Sequence, residues 1–365
     1  MEQLDDLPSE MECVVCHGPH DYRHGDRPVP AAGPGEVLLQ VHSAGLCASD
    51  VACWKGAFGY WPGDGMPGYV QPPVVPGHEF VGTVVGLGDG AAHKYGLALG
   101  DTAISEQITP CWRCRYCKRG QYWMCQNGEI YGFRQHCHGS MATYMVFPSN
   151  SINHKVPTGV PVDHAVFIEP LACAIHAVDR ADITPGDTVV VAGCGPIGLG
   201  MIAAARLRQP GLLVASDHHA DRRSLALASG ADLALDPRAV DAIDEVRGLT
   251  EGYGCDVFLE ASGHPSAVNQ GLRMIRKLGT FVVFGVFKEP VTTEWSIIGD
   301  RKELDVRGAH LGPYCYPRAM DLLASGALPM DRIITHRLAF SEIDTALELV
   351  AGGADSVKVT LAPGL

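Results

Sequence analysis

The stretch from Thr188 to Met201, Thr-Val-Val-Val-Ala-Gly-Cys-Gly-Pro-Ile-Gly-Leu-Gly-Met, constrains this fold more than any other. A short apolar run breaks into glycines and continues as a helical pattern, which predicts strand, tight turn and helix. Gly193 lets the chain leave the strand, Gly195 removes a Cβ where backbone would approach a pyrophosphate, and Gly198 lets the helix pack on the sheet. Pro196 and Ile197 open the helix, whose first N–H groups and partial positive charge favour an anion. A second apolar run, Leu212 to Ser216, ends in Asp217, about 20 residues on, where a carboxylate accepts from a ribose 2′-hydroxyl. A carboxylate there repels a 2′-phosphate, so NAD is expected over NADP. Arg222 and Arg223 pull the other way, since guanidinium groups can hold a phosphate, and Arg222 is a candidate cofactor contact.

Strand and helix patterns alternate from Val162 to Asp300: strands at 233–235, 256–260 and 280–286, helices at 239–247 and 265–276. This predicts a doubly wound parallel sheet. Residues 1–161 differ, being rich in Gly and Pro with short β-like runs at 36–42 and 81–85. They read as a compact β-rich domain with long loops. Residues 301–365 offer helices at 318–323 and 343–350 and a strand near 357–361, with Ser341 and Asp344 resembling a capping box. That tail is too short to fold alone and is expected to return to the first domain.

A formal net charge of −13 over 365 residues argues against nucleic acid or an anionic membrane as main partner. Glu2, Asp5, Asp6, Glu10 and Glu12 stand where an export signal would be basic and then apolar, so a cytoplasmic protein is expected. There, thirteen cysteines point to metal or burial rather than disulfides. Cys13-Val-Val-Cys16-His17 matches covalent haem attachment, but that chemistry needs export. Residues three apart in a strand face opposite sides, so Cys13 and Cys16 read as buried or half-buried thiols.

Cys111, Cys114, Cys117 and Cys125 are more specific. Four thiolates in one short loop form the ligand set of a closed tetrahedral zinc site, and Arg113, Arg115, Lys118 and Arg119 offset its negative charge. The last spacing is too long for a bacterial iron–sulfur cluster, and Gln126 follows where that pattern has Pro. Other potential ligands are scattered: Cys47, His78, Glu79 and Glu169. Singly each is ordinary, and spacing does not bring them together.

These residues, the four-cysteine loop and the glycine turn, in this order, resemble the zinc-dependent medium-chain dehydrogenases over essentially the whole chain. The resemblance implies a groES-like β-rich catalytic domain built from both chain ends, with a Rossmann domain inserted. It implies a catalytic zinc on Cys47 and His78, with Glu79 and Glu169 competing for the remaining protein position. Ser49 matches the hydroxyl that receives the alcohol's proton, and Asp50 a structural residue. Glu169 stands where common alcohol dehydrogenases place a second cysteine, which points to the polyol branch around sorbitol and threonine dehydrogenases. Tyr131-Gly-Phe-Arg-Gln135 and Gly308-Ala-His-Leu-Gly312 point within it to oxidation of a small polyol such as a tetritol. One departure is Ala52, where alcohol dehydrogenases often carry a proton-relaying histidine. Trp54, Phe58, Tyr60 and Phe133 are candidate pocket walls or core, and backbone from Gly285 to Phe287 a candidate nicotinamide contact. The expected reaction is oxidation of a secondary hydroxyl with hydride transfer to NAD. The alternatives are threonine or another alcohol as substrate, or a non-catalytic nucleotide-binding protein. Exposed strand edges suggest a homo-oligomer, a dimer or tetramer.

Overall fold

A computed structural model describes residues 2–4, 7–63 and 68–365. Asp5 and Asp6, counted among the N-terminal acids, lie outside the described residues. Contacts divide the chain into two compact units, one of residues 1–169 and 334–365, the other of 170–333. The tail therefore rejoins the first part at Ile334 rather than near 301. The reason is a sixth strand: Asp305–Gly308 pairs in parallel with Ile275–Val283 and completes the sheet of the second unit.

In the first unit the sheet runs Asn153–Lys155, Thr102–Ser105, Glu79–Leu87, Val37–Gly45, Lys358–Ala362, Ile334–Ala339. The hairpin of Glu10–Gly18 and Asp21–Pro28 lies beside it, forming bridges through Cys13 to Ala142 and Cys16 to Val74. Both thiols are buried, which is the role their strand spacing suggested. The central pair Val37–Gly45 and Glu79–Leu87 is antiparallel, and its register places Gly45 opposite Glu79. The C-terminal strand joins it with Thr360 opposite Gly45. Leu38, Val85, Met141, Phe340, Leu347 and Leu361 contribute to one apolar core that binds tail to beginning. Burial of that apolar surface makes the C-terminal segment a working part of this unit.

In the second unit all strands are parallel, in the order Leu233–Leu235, Leu212–Ser216, Thr188–Ala192, Cys255–Glu260, Ile275–Val283, Asp305–Gly308. This is the Rossmann order, and ligands of such sheets bind beyond the carboxyl ends of the strands where the order reverses. The reversal falls at Thr188–Ala192, directly before the glycine turn. Two local readings are corrected. The helix expected over 265–276 stops at Met274, where Lys302 Nζ donates to the carbonyls of Leu272, Arg273 and Ile275 and the chain turns into a strand. In place of the capping box expected from Ser341 and Asp344, the Glu342 carboxylate accepts from Ala339 N–H at 2.9 Å, one arm of such a box, since Ala339 has no side-chain acceptor. No helix of the described residues is long and apolar enough to cross a membrane.

Candidate metal centre and dinucleotide turn

Strand Val37–Gly45 ends two residues before Cys47, which caps helix Ala48–Trp54. Its N–H donates to Asp50 Oδ2 at 2.9 Å, so the helix start is fixed by the residue that also faces His78. Strand Glu79–Leu87 begins at Glu79, with His78 just before it. Because these two strands are neighbours, their ends deliver three donors to one place. One donor atom each from Cys47, His78 and Glu79 lies within 4.8 Å of the others, and His78 and Glu79 are buried. Among the described residues this group closes on Glu79 and leaves Glu169 out. Glu169 is itself buried and accepts from Gln107 Nε2.

Asp50 faces the histidine. Asp50 Oδ1 lies 3.6 Å from His78 Nδ1, a buried ring nitrogen with no hydrogen-bond partner of its own. Burial opposes charge on His78, but Asp50, the Cys47 sulfur and Glu169 outweigh it and push the ring up to about 10. A site that draws a proton onto a buried histidine this strongly draws a cation generally, and soft sulfur with imidazole and carboxylate suits a divalent zinc. Ser49 Oγ lies 3.4 Å from His78 Nε2. The Phe133 ring is 5.9 Å from the His78 ring, with Tyr60 and Tyr69 packed behind Phe133. Trp54 packs instead against His20, and Phe58 is 79 % exposed.

Sequence reasoning missed Lys358. It is buried, pairs with Glu79 Oε2, and donates to Leu46 O at 2.9 Å. It opens the C-terminal strand Lys358–Ala362, where nothing in the sequence marks it as buried.

The four-cysteine loop forms a second group, again with all donor sulfurs within 4.8 Å. Cys114 Sγ lies 3.6 Å from Cys117 Sγ and 3.8 Å from Cys125 Sγ. Four sulfurs set 2.3 Å from a common centre are about 3.8 Å apart, so the loop has the dimensions of a tetrahedral zinc site. Backbone N–H groups of Cys117 and Gln126 pull Cys114 down to about 6, whereas burial pushes Cys117 up to about 12. Packed thiols resist joint ionisation unless a cation neutralises them.

In the other unit the glycine turn is built as its sequence requires. Gly193 has φ of +93°. A Cβ on Gly198 would fall 1.8 Å from Gly193 O, whereas one on Gly195 would meet nothing within 4 Å, leaving room for a ligand over the turn. Gly195 caps helix Pro196–Arg206, with Pro196 and Ile197 in its first turn. Asp217 is buried, its Oδ2 accepting from Cys194 N–H and its Oδ1 from His219 N–H, both at 2.8 Å. The carboxylate is thus anchored at the turn itself. Arg223 is occupied with Asp217 O, His218 O and Asp236, which makes it a loop brace. Arg222, one residue earlier in the same helix, is half-buried. Backbone at Gly285 donates to Glu260 O beyond the sheet's fourth strand.

Comparison with known proteins agrees with this geometry. Residues 33–158 match the alcohol dehydrogenase GroES-like domain, and residues 196–325 match the zinc-binding dehydrogenase model. The chain is 53 % identical to an erythritol/L-threitol dehydrogenase of Mycolicibacterium smegmatis, over 98 % of this chain and 99 % of that one. It is 33 % identical to a sorbitol dehydrogenase of Halalkalibacterium halodurans, over 95 % and 97 %. A solved NADP-bound chain from Sinorhizobium meliloti 1021, assigned to the zinc-binding dehydrogenases, superposes with a TM-score of 0.86 at 31 % identity, covering 98 % of this chain and all of that one. This chain belongs to the zinc-binding, medium-chain alcohol dehydrogenase family and is an oxidoreductase.

Proposed function

We propose that the protein oxidises a secondary hydroxyl of a small polyol, a tetritol such as erythritol or L-threitol, to the ketose, with NAD as hydride acceptor. The observation that carries this is the convergence of Cys47, His78 and Glu79 on one point, in a chain 53 % identical to an erythritol/L-threitol dehydrogenase. Cys47, His78 and Glu79 hold the catalytic zinc, with Glu169 held one step back by Gln107. Cys111, Cys114, Cys117 and Cys125 hold the structural zinc. Bound zinc supplies Lewis acidity that lowers the pKa of an oxygen ligand, by about 9 units for water, and the dinucleotide supplies the hydride acceptor.

The chain's own residues do the rest. Ser49 Oγ, beside His78, takes the proton from the substrate hydroxyl. Asp50 turns its charge towards the histidine ring and closes the start of the helix that carries Ser49. Phe133, backed by Tyr60 and Tyr69, covers one side of the His78 ring and excludes water there. Ala52 offers no group to pass the proton onward, so its exit runs through water. The Asp217 carboxylate, fixed at the glycine turn, supports NAD over NADP even though the Sinorhizobium relative carries NADP. The exposed edge strand Asp305–Gly308 supports assembly with further copies of the chain.

The test is a panel of tetritols, longer polyols, threonine and short alcohols on protein of measured zinc content, followed by NADH absorbance. Tetritols are expected to give the highest kcat/KM. Threonine or a simple alcohol in that place overturns the substrate, and full activity in metal-stripped protein overturns the mechanism.

A further inference from the structure

Lys358 is 1 % exposed, and among the described residues no other lysine or arginine is buried. A buried ammonium persists only where partners replace its hydration. Here the partners are the Leu46 carbonyl, next to Cys47, and the Glu79 carboxylate, so one side chain from the C-terminal strand touches the supports of two ligands. The pair has room only because residue 45 is glycine. A Cβ there would lie 2.2 Å from Glu79 Oε2 and 3.0 Å from Lys358 Cε.

We propose that Lys358 is a positioning residue that holds Glu79 by one carboxylate oxygen, so that Glu79 meets the metal with the other oxygen and with less than its full charge. The proposal rests on Cys47, His78 and Glu79 forming the catalytic zinc site. Two consequences follow from a fixed positive charge at this point. It weakens the site's hold on a divalent ion, a like charge. It also favours ionisation of a substrate hydroxyl in a pocket that Cys47, Asp50, Glu79 and Glu169 would otherwise make strongly negative. A strut with no electrostatic role has neither effect, and its loss would loosen the metal.

Lys358→Met keeps the length of the side chain and removes its charge. Zinc affinity of the catalytic site is read by chelator competition, coordination by the absorption of the cobalt-substituted protein, and turnover by steady-state kinetics. The expected result for Lys358→Met is zinc held about tenfold more tightly, because a like charge is removed, with shifted cobalt bands, and kcat reduced about tenfold, the size of loss typical when an outer-shell partner is removed, with KM for NAD unchanged. Lys358→Arg, which keeps charge and donor, restores all three towards the parent values. Unchanged or weaker zinc binding in Lys358→Met overturns the proposal. Should that variant fail to fold, Gly45→Ala displaces Glu79 from Lys358 while keeping both charges, and a cobalt spectrum identical to the parent's then overturns it. Cys47→Ser keeps the two levels apart: if it retains both zinc equivalents, the metal site itself is wrong, whereas loss of one equivalent beside an unaltered Lys358→Met removes only the role of Lys358.

Discussion

Asp50→Asn separates two jobs that one buried carboxylate performs. Its Oδ2 accepts from Cys47 N–H and closes the start of helix Ala48–Trp54, while its Oδ1 faces His78 Nδ1 at 3.6 Å. Asparagine keeps an acceptor for the cap, so the helix start survives, whereas Asp50→Ala loses a cap contributing about 1 kcal/mol. Burial also holds the Asp50 carboxyl above its ordinary range, so the folded chain works against its charge and a neutral amide relieves that opposition. Metal-free Asp50→Asn should therefore unfold in urea within about 1 kcal/mol of the parent. What the amide cannot supply is negative charge towards a ligating imidazole. Carboxylates in that relation typically contribute about 10- to 100-fold in metal affinity, on the order of 1.4 to 2.8 kcal/mol. The assay pairs chelator competition on zinc-loaded protein with urea titration of metal-free parent, Asp50→Asn and Asp50→Ala. If Asp50→Asn binds zinc like the parent yet unfolds as early as Asp50→Ala, then Asp50 is only a helix cap and the reasoning about His78 fails.

Three further outcomes are expected. Cys114→Ser should release one zinc equivalent and lower the thermal midpoint while leaving the cobalt spectrum of the Cys47 site unchanged; metal analysis showing both equivalents retained would contradict a structural site in that loop. Asp217→Ser should move the ratio of kcat/KM for NAD over NADP towards NADP, and a ratio that stays put in side-by-side kinetics removes Asp217 from cofactor choice. Burial lowers His138 and His176 each to about 4, so both are neutral in the folded chain while the unfolded chain titrates near 6.5. Between those values the unfolded state binds more protons, so stability falls as pH drops from about 6.5 towards 4. The urea midpoint of the His138→Gln, His176→Gln double variant should fall less steeply across that window than the parent's.

Legibility in the sequence followed the range over which each constraint acts. The four-cysteine loop and the glycine turn are local: ligands within fifteen residues, and three glycines whose spacing answers to one turn, carry their geometry in their order. The strand Leu233–Leu235 was readable for the same reason. The candidate metal centre is not local, since Cys47 and His78 lie 31 positions apart and meet only because Val37–Gly45 pairs antiparallel with Glu79–Leu87. Family resemblance supplied that pairing where spacing could not. The same holds for the late return of the tail, since a sixth strand at Asp305–Gly308 is four residues long, polar and mostly exposed, with no apolar period to betray it.

Lys358 shows where such reading stops. Between Cys47 and Lys358 lies the whole inserted dinucleotide unit, and nothing in the composition of Lys358–Ala362 marks a lysine as buried rather than solvated, the ordinary fate of that residue. Its role depends on three strand ends meeting, Gly45 leaving a gap between them, and Glu79 turning one oxygen into it. Each condition is set by register, and a shift of one residue in the C-terminal strand would send the ammonium to the opposite face. The insertion of one unit into the other is thus more than a matter of chain order. The last strand pairs with Val37–Gly45, which in turn pairs with Glu79–Leu87, so Lys358 is placed beside Glu79 by the same pairing that closes the sheet. A chain cut before Val357 should accordingly lose both the apolar contacts of Val359 and Leu361 and the partner of Glu79.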